Sequence, residues 1–166
     1  MKTLFIGGVK SGKSRLAEAY ILQAAGTAKP YYLATTECLD TEMQLRISEH
    51  KARRQEHFIT IEEPRHLLAA LQNCNRPVLV ECVTMWLNNQ LYHGQTEAAI
   101  FQELEAALQM QGDMVFVHNE VGFGIIPDNV LARQFVDLSG KAAQLMGQYC
   151  DKVFFCSAGL ALPMKF

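Results

Sequence analysis

The residues that most constrain this chain are Gly7-Gly8-Val9-Lys10-Ser11-Gly12-Lys13-Ser14, which fit the pattern G-x-x-x-x-G-K-[ST]. Their context strengthens the match. Thr3-Leu4-Phe5-Ile6 reads as a short buried strand directly before the loop. After it, Leu16, Ala17, Tyr20, Ile21 and Ala24 recur at helical spacing from Lys13 to about Ala25, and Gly26 is placed to end that helix. A strand, a glycine-rich turn and an amphipathic helix in this order make an anion site. Gly7 and Gly12 let backbone N–H groups turn toward one anion, and the helix N-terminus adds the positive end of its dipole. Lys13 is placed to reach the outer phosphates of a nucleotide, and the Ser14 hydroxyl to ligate Mg²⁺. Such a site needs a second acid at a strand end to hold the metal through water. Glu81, which ends the run Val78-Leu79-Val80, is the candidate; the alternative is a strand-terminal acid with no metal role.

Further along, apolar runs alternate with helical patterns. Strands are predicted over Pro30–Ala34, Phe58–Ile61, Pro77–Glu81, Met114–His118 and Lys152–Cys156, the last being the final strand. Helices are predicted over 40–57, from Pro64 to about Asn73, over 84–93 and 96–110, and from a cap at Asp128 or Asn129 to about Tyr149. Residues 119–127 form a glycine-rich loop. Continuously apolar strands separated by helices indicate a mostly parallel central sheet with helices on both faces.

Composition narrows the function. The chain has 166 residues, with 15 Lys+Arg against 17 Asp+Glu and 49% hydrophobic content. A length of roughly 100–200 residues reads as one domain, here spanning 1–166. The net charge of −2 argues against a nucleic-acid binder that works by bulk electrostatics. No apolar run approaches the ~20 residues that span a bilayer, so no membrane anchor is expected. The five cysteines, Cys38, Cys74, Cys82, Cys150 and Cys156, are odd in number and form no C-x-x-C pair. That fits reduced thiols of a cytoplasmic protein better than a disulfide framework or a zinc site.

A regulatory GTPase would carry an Asn-Lys-x-Asp motif, and the chain has none; Asp137-Leu138-Ser139-Gly140 matches D-x-x-G but falls inside a predicted helix. A small-molecule kinase fits better, because phosphoryl transfer needs cationic clamps and exclusion of water. Arg46, Lys51, Arg53 and Arg54 supply them, with His50 in their midst. On a helix Arg46, His50 and Arg54 share one face. An imidazole there can attack phosphorus directly and form a phosphoramidate. A solvated charged helix is the plainer reading of the same residues. Among the other histidines His118 is notable, since it ends a strand at the sheet's active edge.

Taken together these residues resemble the bifunctional adenosylcobinamide kinase / adenosylcobinamide-phosphate guanylyltransferase family of cobalamin biosynthesis. The resemblance runs through Gly7–Arg15, Tyr32–Thr36, Asp40-x-Glu42-Met43-x-x-Arg46-Ile47-x-x-His50, Arg53-Arg54, Thr60-x-Glu62 and Pro64. It continues through Glu81-Cys-Val-Thr-Met-Trp-Leu-x-Asn89, Asn119–Pro127 and Arg133-x-Phe135-x-Asp137. Gln55 and Phe58 depart from the family's usual Pro and Trp. The resemblance implies a three-layer P-loop NTPase fold, RecA-like in its sheet, that assembles as a homo-oligomer, a trimer. It implies phosphorylation of adenosylcobinamide by ATP or GTP, then transfer of GMP from GTP through a GMP–histidine intermediate at His50, with Lys13 acting on the phosphates. The implied nucleotide contacts are Gly7, Gly8, Val9, Lys10, Ser11, Gly12, Lys13, Ser14, Ala34, Thr35, Thr36, Lys51, Ala52, Arg53, Arg54, Glu62 and Glu81. Ser14 and Glu81 are the implied Mg²⁺ site. Two other readings stay open: another P-loop metabolite kinase without nucleotidyl transfer, and a nucleotide-binding switch with little turnover.

Overall fold

A computed structural model of the chain describes residues 1–37 and 56–166. The strands are β1 (Lys2–Gly7), β2 (Tyr31–Ala34), β3 (Ile59–Glu62), β4 (Val78–Glu81), β5 (Met114–Asn119), β6 (Lys152–Ser157) and β7 (Leu160–Lys165). The helices are α1 (Lys13–Ala25), α2 (Leu67–Gln72), α3 (Val83–Tyr92), α4 (Glu97–Gln109) and α5 (Val130–Tyr149). Among the described residues the strands form one sheet in the order β3-β2-β4-β5-β1-β6-β7, parallel except for the antiparallel pairing of β6 with β7.

The central strands are apolar on both faces because both faces are covered. In β1, Leu4 and Ile6 join the larger core with residues of α2, α3, α4 and α5, while Phe5 points to the other face and packs near Ala17 and Ile21 of α1. The same alternation holds in β4, where Val78 and Val80 oppose Leu79, and in β5, where Met114 and Phe116 oppose Val115 and Val117. Trp86, Leu87, Leu104 and Phe116 are fully buried in the larger core.

Two expectations are corrected. Lys152–Cys156 does not end the sheet: the chain reverses at Ala158 and Gly159, both at positive φ (52° and 78°), and returns as β7. A two-residue turn with both φ values positive is the hairpin turn whose twist matches its strands. Pro163 hides β7 in the sequence, yet an edge strand tolerates proline. Likewise Pro64 is not the first helical residue, since α2 begins at Leu67. Side chains hold residues 63–66 as a turn instead. Glu63 Oε1 accepts from the backbone N–H of Arg65 and of His66, both at 2.9 Å. Asn89 Nδ2 donates to the Pro64 carbonyl at 2.9 Å, and Trp86 Nε1 to the Arg65 carbonyl at 2.8 Å.

Register sets the site. Gly7 lies opposite Asn119 and Cys156, Glu81 opposite Ala34 and Val117, and Ala34 opposite Glu62. The carboxyl ends of six parallel strands therefore form one edge, where α/β proteins build their sites. The predicted helix over 40–57, with His50, Lys51, Ala52, Arg53 and Arg54, falls almost wholly outside the described residues.

Candidate functional site

The loop between β1 and α1 is seated on the β6–β7 turn. A Cβ on Gly7 would lie 2.3 Å from the Cys156 carbonyl oxygen, so only glycine fits where β1 ends. Gly12 holds φ at +92° as the N-cap of α1, and a Cβ there would meet Gly159 Cα at 2.9 Å. The Gly159 N–H donates to the Ser11 carbonyl at 2.9 Å, and the Glu120 N–H to the Gly7 carbonyl at 2.9 Å. Lys10 also takes positive φ, at 59°. These contacts fix the loop that leads from β1 into the N-terminus of α1, where backbone N–H groups can receive an anion.

Three side chains complete that face. Lys13 is buried, and its ammonium donates to the Gly8 carbonyl at 3.2 Å, which folds it over the loop. The Ser11 hydroxyl is buried with no hydrogen-bond partner among the described residues, an orphaned donor of the kind a phosphate oxygen satisfies. The Ser14 hydroxyl donates to Glu81 Oε1 at 2.7 Å. A hydroxyl and a carboxylate in contact at a phosphate loop are the hard oxygen donors that suit Mg²⁺.

Behind the site lies a polar layer that sequence reasoning only touched. His118 is fully buried at the end of β5; its Nδ1 is 3.1 Å from Thr84 Oγ1 and its Nε2 is 3.0 Å from Ser139 Oγ. Thr84 Oγ1 also accepts the Asn119 N–H at 2.7 Å, which ties the end of β5 to the start of α3. Burial above all, with a raising contribution from Ser139 and a lowering one from nearby Lys13, brings the His118 pKa down to about 4. The ring is thus a neutral, doubly bonded structural histidine. Cys82, beside Glu81, is a buried thiol whose pKa burial and the Glu81 charge push up, so it is no nucleophile.

Among the expected nucleotide contacts, Gly7–Ser14, Ala34, Thr36, Glu62 and Glu81 gather at the sheet edge. Thr35 is different: it is fully buried, and its hydroxyl donates to the Cys82 carbonyl at 2.7 Å and accepts the Cys82 N–H at 2.8 Å. Its own N–H and carbonyl bond to Glu81 and Asn89, so it braces the β4–α3 junction from within. Gly159 was missed because the clash that requires it is with a loop about 150 residues away in sequence. The small residues Ser157-Ala158-Gly159 after an apolar strand were the available signal.

In the Asn119–Pro127 loop Phe123, Ile125 and Ile126 are largely exposed rather than packed in the core. Among the described residues, no helix is long and apolar enough to cross a membrane. Cys74, Cys82, Cys150 and Cys156 are free thiols.

A glycine loop joining the central β1 to α1, with its serine on an acid two strands away, defines a P-loop nucleotide-binding protein. Solved structures agree on the fold. The flagellar accessory protein FlaH from Methanocaldococcus jannaschii aligns with a TM-score of 0.51 at 10% identity, covering 99% of this chain and 78% of that one. An ATPase from the type III secretion system of pathogenic bacteria aligns with a TM-score of 0.52 at 12% identity, covering 98% and 56%. Sequence relatives narrow the class. The family model described as cobinamide kinase / cobinamide phosphate guanyltransferase matches residues 3–164. The bifunctional adenosylcobalamin biosynthesis protein CobP of Pseudomonas aeruginosa is 40% identical over 99% of this chain and 98% of its own length. The bifunctional adenosylcobalamin biosynthesis protein CobU of Escherichia coli is 35% identical over 99% and 100%. The chain belongs to the cobinamide kinase / cobinamide phosphate guanyltransferase family.

Proposed function

We propose that this chain, as one transferase domain, carries out both reactions of its family. In the first, the terminal phosphoryl group of ATP or GTP passes to the hydroxyl of the aminopropanol arm of adenosylcobinamide. In the second, the ring nitrogen of His50 attacks the α-phosphorus of GTP, the α–β anhydride bond breaks and pyrophosphate leaves. An oxygen of adenosylcobinamide phosphate then attacks the same phosphorus, the P–N bond breaks, and adenosylcobinamide-GDP forms with His50 restored. The observation that carries this reading is the Ser14–Glu81 contact at a complete phosphate loop, in a chain whose residues 3–164 match the family.

The described residues divide the work. The loop amides, Lys13 and Ser11 bind the phosphates, and in the second reaction they hold the part that departs as pyrophosphate. Ser14 and Glu81 are the residues that would hold Mg²⁺, which supplies positive charge against the phosphate oxygens when bound. Glu62, at the end of β3, and Thr36, after β2, border the space available to the nucleoside. Arg46, Lys51, Arg53 and Arg54, close to His50 in the sequence, supply the cationic groups.

The chain works as a homo-oligomer, a trimer, in the cytoplasm. Exposed Leu160, Leu162, Met164 and Phe166 on and after edge strand β7, with Phe123, Ile125 and Ile126, give it an apolar surface of the sort subunit contacts cover. Light scattering is expected to give three times the 18.6 kDa chain mass, and a monomer at working concentration contradicts this.

The assay is direct. Protein, Mg²⁺, adenosylcobinamide and GTP are mixed and the corrinoid products are weighed by mass spectrometry. Adenosylcobinamide-GDP is expected. A product that stops at the phosphate would support the simple kinase, and nucleotide binding with neither product would support the switch.

A further inference from the structure

Along the edge that carries the phosphate loop lies a second concavity of about 200 Å³, bordered by Arg65, His66, Gln90, Gln95 and Glu103. It opens where the turn after β3 meets the C-terminal end of α3 and the first turns of α4. β3 is the fourth strand from β1, which places this pocket roughly 19 Å along the edge at a spacing of about 4.8 Å per strand.

The backbone of Arg65 is fixed, because Trp86 Nε1 and Gln90 Nε2 both donate to its carbonyl. Its side chain is not satisfied in the same way: Nε is buried and has no hydrogen-bond partner among the described residues. Across the pocket Glu103 is partly buried, with Oε1 accepting the Leu68 N–H at 3.1 Å. Arg65 and Glu103 line the same space, yet no ion pair joins them among the described residues. A buried donor kept without a partner is costly, so turning the Arg65 guanidinium toward an acceptor in the pocket it lines is favourable.

The pair of charges selects the ligand. A small anion would satisfy Arg65 and be repelled by Glu103; a small cation would meet the reverse. A neutral group with a carbonyl acceptor on one side and N–H donors on the other satisfies both. A primary carboxamide is that group, and a short carboxamide arm fits within the volume. We propose that this pocket receives one peripheral carboxamide arm of the corrinoid, its carbonyl on the Arg65 guanidinium and its NH₂ toward Glu103, with Gln95 at the rim. The inference rests on the proposed substrate, whose corrin ring bears such arms around its rim. Held at this distance, the ring stays clear of the phosphate loop and its hydroxyl-bearing arm reaches inward.

The test uses Arg65→Met, Glu103→Gln and Gln95→Ala in the full chain, each first shown to melt as the wild type does. Three quantities are measured: KM for adenosylcobinamide, labelling of the protein by GTP alone, and use of adenosylcobinamide derivatives in which one carboxamide is hydrolysed to a carboxylate. Arg65→Met is expected to raise KM for adenosylcobinamide about tenfold or more, the loss expected of one buried hydrogen bond to a charged group, with GTP labelling retained. Wild type should reject at least one monocarboxylate isomer, and Glu103→Gln should accept that isomer better. Should Arg65→Met not fold, the Glu103→Gln and Gln95→Ala results decide alone. Unchanged KM and unchanged isomer preference in an active enzyme overturn the pocket assignment. If wild type does not turn over adenosylcobinamide, the proposed function fails instead. Equilibrium dialysis with adenosylcobinamide then decides the pocket: binding that Arg65→Met weakens supports it, and no binding, or binding indifferent to Arg65, overturns it.

Discussion

The Ser14 hydroxyl donates to Glu81 Oε1 at 2.7 Å across 67 residues of sequence. Ser14 lies in the first turn of α1 and Glu81 ends β4, and β5 separates β4 from β1 in the sheet. Their meeting follows from register, which sets Glu81 opposite Val117 and Val117 opposite Phe5, two residues before the end of β1. The contact unites the phosphate loop with the only acid ending a strand beside β5 or β1 among the described residues.

Glu81→Gln and Ser14→Ala should each weaken Mg²⁺-dependent turnover. Loss of a metal-holding group or its partner costs about 10–100-fold in metal affinity or activity. Turnover measured against free Mg²⁺ should show a raised requirement in both variants. An unchanged requirement in Glu81→Gln would remove Glu81 from the metal site.

Glycine is needed at some loop positions and not at others. Gly12→Ala places a Cβ 2.9 Å from Gly159 Cα at φ +92°, and strain of this type costs about 1–3 kcal/mol. For a domain of this size each kcal/mol lowers Tm by roughly 2–4 °C. Gly8→Ala meets nothing within 4 Å and should melt as the wild type does. Thermal melts of the two variants, side by side, check the contrast.

His118 makes stability depend on pH. Its folded pKa of about 4 lies below its ordinary value of 6.5, so the unfolded chain binds more protons between these pH values. Stability therefore rises with pH across that window and is lost as pH falls from 6.5 toward 4. The group's contribution drops by about 2 kcal/mol from pH 7 to pH 5, taking 1.36 kcal/mol per pKa unit. Urea unfolding at both pH values should show a smaller difference for His118→Gln than for wild type.

Thr35→Val should destabilise the β4–α3 junction. The hydroxyl serves both the N–H and the carbonyl of buried Cys82, and an unsatisfied buried group costs about 1–3 kcal/mol. Urea midpoints check this. A variant as stable as wild type would show that Cys82 finds other partners.

Much of this architecture was legible in the chain. The glycine loop announced β1, α1 and the site together, because the chemistry of phosphate binding dictates residue type and spacing at once. The apolar runs Val78–Val80 and Met114–Val117 announced buried parallel strands, because two covered faces leave no polar alternation. β7 was not legible: as an edge strand with Pro163 and outward Leu160, Leu162 and Met164, it follows none of the patterns of a central strand. The start of α2 was also hidden, because Asn89 and Trp86 hold the Pro64 turn from a helix more than 20 residues away. Glu81 could be nominated as the acid from its strand end, but its contact with Ser14 needed the sheet order. Thr35 and His118 show the converse: polar residues at the active edge that the fold uses for itself.

The central claim is that GMP is carried on His50. The protein is incubated with Mg²⁺ and GTP labelled at the α-phosphate, then denatured and separated from free nucleotide. A protein-bound label that is lost in acid, kept in base and absent from His50→Ala is expected, since a P–N bond has that lability. Folded wild type that takes up no label, or His50→Ala that labels as fully as wild type, would contradict the account.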